Sequence, residues 1–95
     1  MPAETIAALM KRGDELIGIG DISGARLVYE RAAAGGSAKA MTALGMTHDP
    51  GFLGRANARG IRPDPAIAAE WYRKAAALGD AEAAARMQQL SAVPR

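Results

Sequence analysis

Ile6, Leu9, Met10, Gly13, Leu16 and Ile17 mark out one side of a helical wheel near the start of the chain. Their spacing follows a 3.6-residue period, so a helix is predicted over residues 3–18, closed by Gly18 and Gly20. Ala25, Tyr29, Ala32 and Ala33 form a second stripe and predict a helix over 22–34, ended by Gly35-Gly36. Ser37 then has the chemistry of an N-cap for a helix over 38–48. Further on, Asp64-Pro65 is a cap followed by proline at the first helical position. Ala68, Tyr72, Ala75 and Ala76, with Trp71 at their edge, predict a helix over 65–78. Glu70 and Lys74 stand four apart on its outer side, in the favourable order. Gly79 is placed to end it in the left-handed region. Asp80 caps a last helix over 80–91, whose expected buried side is Ala81, Ala84, Met87 and Leu90. Between His48 and Asp64 the prolines and glycines are too dense for a continuous helix. Asp49-Pro50 is again a cap and start, and Phe52, Leu53 and Ala56 give a short helix one apolar side, ending at Gly60.

The chain repeats itself. Asp21–Leu44 and Asp64–Met87 align without a gap at an offset of 43, with nine of 24 positions identical. Alanine inflates that count, but the pairs Asp21/Asp64, Tyr29/Tyr72 and Gly36/Gly79 owe nothing to alanine. Each copy reads as helix, tight turn, helix. The expected fold is all-α: antiparallel helical hairpins stacked as a short α-solenoid. It has about five helices, plus a short accessory helix in the 49–63 insertion. One domain is expected over 1–95, with hairpin 3–36, repeat 37–79 and closing helix 80–92.

Composition supports this and removes several functions. Alanine supplies 23 of the 95 residues, which favours helix and close helix packing over sheet. Twelve basic residues face ten acidic ones, so the net charge of +2 argues neither for disorder nor for nucleic acid. With no cysteine there is no disulfide, thiolate zinc site or thiol nucleophile. A single histidine, His48, builds no multi-histidine metal site. No apolar run is long enough for membrane insertion. Met1-Pro2-Ala3-Glu4 lacks the start of a signal peptide, so a soluble chain is expected, with a lean towards the cytoplasm. Gly18-x-Gly20-x-x-x-Gly24 has the wrong spacing and a helical setting, and is not a dinucleotide loop.

Residues 40–83 resemble a Sel1-like repeat, a branch of the tetratricopeptide superfamily. Ala40, Leu44 and Gly45 match its A-x-x-x-L-G opening, and Gly60-Ile61 resembles its glycine elbow. Asp64, Ala68, Trp71, Tyr72, Lys74, Ala75, Ala76, Gly79 and Ala83 complete the pattern. Two departures stand out. From Gly45 to Asp64 the chain is longer than the family's usual connection, and removing the excess at Pro50–Asn57 restores the family period of roughly 36. From Gly13 to Asp21 it is shorter, closer to a plain tetratricopeptide hairpin. Some relatives staple their hairpins with disulfides, which this chain cannot do. The resemblance implies a scaffold that binds a protein or peptide and has no catalytic machinery of its own.

Candidate binding residues therefore come from the insertion. Arg55, Arg59 and Arg62 form a basic cluster, either a fork for carboxylate or phosphate on an acidic partner or a solvated loop pairing with Asp49 or Asp64. On a continuing helix Arg55 and Arg59 would lie one turn apart. Phe52 is the one aromatic the repeat does not explain. His48 stands at a position often held by tyrosine in the family, and reads as a structural imidazole or a lone base or ligand without companions. Tyr72 reads as core, with Trp71 covering the insertion or the preceding hairpin. Met10, Met41, Met46 and Met87 read as fillers between alanine-rich helices. Dispersed glutamates, such as Glu82 beside Arg86, suggest no acid–base pair. No catalytic residue, cofactor or metal is assigned. The expected function is a protein–protein or protein–peptide interaction module. The alternative is a terminal cap of a longer solenoid, or a self-associating domain that exposes Ile6, Leu9 and Leu16 as a homo-oligomer face.

Overall fold

Three helices end in the same way, and those ends set the path of the chain. Gly20, Gly36 and Gly79 each adopt a positive φ, at 83°, 94° and 97°. At each, the glycine amide and the amide after it bond back to the last turn: Gly20 to Ile17 and Asp21 to Leu16, Gly36 to Ala33 and Ser37 to Ala32, Gly79 to Ala76 and Asp80 to Ala75. This is the Schellman closure, which satisfies carbonyls that the helix leaves open. The next residue begins the following element at once. Asp21 accepts from the Gly24 amide, and Ser37 from the Ala40 amide. Such a short reversal forces consecutive helices to lie antiparallel.

The computed structural model describes residues 1–58 and 60–92. In chain order the helices are α1 (Ala3–Gly18), α2 (Ile22–Ala34), α3 (Ala38–His48), α4 (Pro50–Arg55), α5 (Pro65–Ala77) and α6 (Ala81–Ala92). Each of the long helices packs on the next, α1 on α2, α2 on α3, α3 on α5 and α5 on α6, while α4 rests on α3. The result is an all-α stack of hairpins, 41 × 29 × 15 Å.

Alanine and tyrosine build the core together. Ala25, Ala32, Ala40, Ala68, Ala75 and Ala83 are wholly buried, with Tyr29 and Tyr72 between them. Each tyrosine ring lies on a glycine of the facing helix. A Cβ on Gly13 would overlap the Tyr29 ring, and one on Gly45 would overlap the Tyr72 ring. Glycine at these two places lets the backbones come close enough for the ring to fill the gap. Each phenol then finds a carboxylate: Tyr29 donates to Asp14 at 2.6 Å and Tyr72 to Asp49 at 2.7 Å. Burial and these bonds push both phenols above their ordinary pKa. Among the described residues, no buried side-chain polar atom lacks a partner.

Four local expectations need correction. The buried side of α6 is Ala83, Met87 and Leu90, whereas Ala81 and Ala84 are exposed. Ala83 instead is wholly buried, at the position that corresponds to Ala40 in the first copy. The short helix stops at Arg55, not at Gly60, because Asn57 takes the left-handed conformation (φ 52°) and closes it. Lys74 does not pair with Glu70; its ammonium lies 4.7 Å from the centre of the Trp71 ring. Leu16 is core, 6% exposed, and not part of an exposed flank, while Ile6 and Leu9 are partly buried against the same cluster.

Other expectations agree with the structure. Trp71 packs against the cluster of the preceding hairpin. Met10 and Met41 pack on that cluster, and Met41, Met46 and Met87 on the second one. Glu82 and Arg86 pair at 3.0 Å.

Candidate functional site

The inserted segment is fastened at three places. Asp49 is 8% exposed and works with both carboxylate oxygens. Its Oδ1 caps α4 by accepting from the Gly51 amide at 2.8 Å, and its Oδ2 accepts from Tyr72 of α5. Leu53, 4% exposed, is the apolar anchor of α4. At the neck, the Asp64 amide donates to the His48 carbonyl at 2.8 Å, closing the loop where it leaves the repeat. At the far end of α4, Asn57 and Ala58 bond back to Gly54 and Leu53, the same closure that ends the longer helices.

Fastened in this way, α4 holds Phe52 over the first hairpin. The ring walls a cavity of about 200 Å³ together with Asp14 and Ile17 of α1, Tyr29 of α2, and Ala43, Met46 and Thr47 of α3. Its lining is mostly apolar, and the Asp14 carboxylate is the one charged wall among the described residues. Arg26 of α2 supports the α3 wall. Its guanidinium donates to the Thr47 hydroxyl and to the Thr47 carbonyl, one of the carbonyls left open at the end of α3. Thr47 in turn donates to Leu44 at 2.7 Å.

Of the residues the sequence singled out, Phe52 lines this cavity. His48 is half-buried at the end of α3, where burial and the nearby Arg26 lower its pKa. That setting suits a neutral imidazole. Arg55 and Arg62 are exposed, and neither walls the cavity; Arg59 lies outside the described residues. The helix α4 ends at Arg55. Sequence reading overlooked Asp14, Arg26 and the second role of Asp49. A signal for the two acids was available, because a tyrosine expected in the core needs an acceptor for its hydroxyl. Among the described residues, no group of three or more His, Asp or Glu could hold a metal ion, and no helix is long and apolar enough to cross a membrane.

The unit formed by α3, the insertion and α5 is the part of the chain that comparison identifies. The Sel1 repeat family model matches residues 38–80. Over that stretch the chain is similar to a Sel1 repeat. Sel1 repeats generally mediate protein–protein interaction, as non-catalytic scaffolds. The matched range includes α4. No curated protein and no solved structure matches the chain.

Proposed function

We propose that the chain is a protein–peptide interaction module, a scaffold or adaptor that carries out no chemistry, and that its ligand enters the cavity between the first hairpin, α3 and α4. One observation carries this reading: the insertion that lengthens the repeat holds its lone aromatic, Phe52, as a cavity wall rather than burying it in the core. A segment whose only role was to connect two helices would need no aromatic there. At about 200 Å³ the cavity falls below the roughly 300–1,000 Å³ of small-molecule and cofactor sites. It is larger than the roughly 150 Å³ cavity that takes up benzene, and so has room for one large side chain of a partner. Arg55 and Arg62 of the insertion are exposed and open to acidic groups of the same partner; His48, and Arg59 outside the described residues, are proposed as further contacts.

A photo-crosslinking residue placed at Phe52 tests this in the cells that make the protein. Discrete protein adducts are expected from position 52 and not from the exposed Lys39 on α3. Adducts equally frequent, or equally absent, at the two positions would count against the reading.

A second reading, a terminal cap of a longer solenoid, has its own support in α6. At the offset of 43 the docking glycine Gly45 corresponds to Gln88, which is exposed. A further hairpin could not seat a tyrosine there as Tyr72 seats on Gly45.

A further inference from the structure

The cavity is not uniformly apolar, and its single carboxylate suggests what enters. Asp14 is an exposed residue of the lining, and one of its oxygens accepts from Tyr29. The described ion pairs are Arg12 with Glu15 and Arg86 with Glu82, so no described cation neutralises Asp14. The nearby Arg26 is already bonded to Thr47. Ile17, Ala43, Met46 and Phe52 supply the apolar part of the lining.

We infer that the cavity takes an arginine or lysine side chain of a partner protein, with its stem against Ile17, Met46 and Phe52 and its charged head on Asp14. The inference rests on the reading of this cavity as the peptide site. Long basic side chains are suited to such a place because they cover apolar surface with their methylenes while the head stays at a polar rim. An acidic side chain would meet the Asp14 carboxylate as a like charge, and a purely apolar one would leave it without a cation. The Tyr29 phenol, held protonated by burial and by its bond to Asp14, donates to the carboxylate and fixes its direction. An arginine head would then complete the charge-assisted pair.

The test is a selection of phage-displayed random dodecapeptides on the full chain, followed by affinity measurement. Enriched peptides are expected to share one arginine or lysine flanked by apolar residues. Replacing that arginine by citrulline, which keeps its shape and removes its charge, is expected to weaken binding about tenfold or more. Asp14→Asn, which keeps an acceptor for Tyr29, is expected to cause a similar loss without changing the citrulline peptide's affinity. Peptides that need Phe52 but carry no basic residue, or that bind D14N as well as the original chain, would overturn this inference and leave the peptide site standing. Failure to select any peptide dependent on Phe52 would overturn both.

Discussion

Gly45 and Tyr72 show how much of this fold depends on the absence of one carbon. The Tyr72 ring occupies the place where a Cβ on Gly45 would lie. Gly45→Ala is therefore expected to destabilise the chain by about 1–3 kcal/mol, the usual cost of overpacking, even though alanine is the better helix former. In a domain of this size each kcal/mol corresponds to a fall of roughly 4–8 °C in Tm. Gly18, at the end of α1, has open space around its Cβ position, so Gly18→Ala is expected to raise Tm slightly. Thermal melting of the two variants checks the pair: if both shift upwards, the ring-on-glycine contact does not govern packing. Much of this was legible in the sequence. Gly13 sat in the apolar stripe, Gly45 in the L-G motif, and Tyr29 and Tyr72 in one slot at the offset of 43. The acids that receive the phenols were not legible. Asp14 follows its glycine by one residue and Asp49 by four, so no common spacing links them.

At the scale of elements, α4 is too short to be stable by itself, since isolated helices need roughly 12–15 residues. It holds because Asp49 joins it to α5. Asp49→Ala removes both the cap to Gly51 and the acceptor of a buried phenol. The expected loss is about 1 kcal/mol for the cap and about 1–3 kcal/mol for the unpaired hydroxyl. In a Tyr72→Phe background the second part disappears, so the same substitution is expected to cost only the cap. Urea unfolding of the double-mutant cycle measures the difference; equal costs in the two backgrounds would mean that Asp49 does not couple α4 to the repeat. The boundaries of the longer helices were readable because glycine, aspartate and serine mark them chemically. The end of α4 was misjudged because glycine is the usual left-handed residue and Gly60 was available, whereas Asn57, the next most tolerant type, took that conformation first. The phase of α6 was misjudged for a related reason. In a helix rich in alanine several stripes look equally apolar, and the packing of Ala83, Met87 and Leu90 against α5 selects among them.

For the molecule as a whole, the hairpins carry the stack and the insertion supplies what a plain repeat lacks. The cavity draws on residues 14, 17, 29, 43, 46, 47 and 52, from four helices. No local pattern relates them, which is why the sequence marked Phe52 as unexplained without showing what it faces. The arginine cluster is the reverse case: Arg55 and Arg62 were conspicuous in sequence, yet the fold leaves them exposed and outside the cavity lining. The central claim is that the surface walled by Phe52 is where a partner binds, and methyl NMR of the unaltered chain with a selected peptide tests it most directly. The Ile17, Ala43 and Met46 methyl signals are expected to shift on saturation, while those of the exposed Leu27 and Leu78, outside the cavity, stay in place. Shifts confined to Leu27 or Leu78, with the cavity methyls unmoved, would contradict the account.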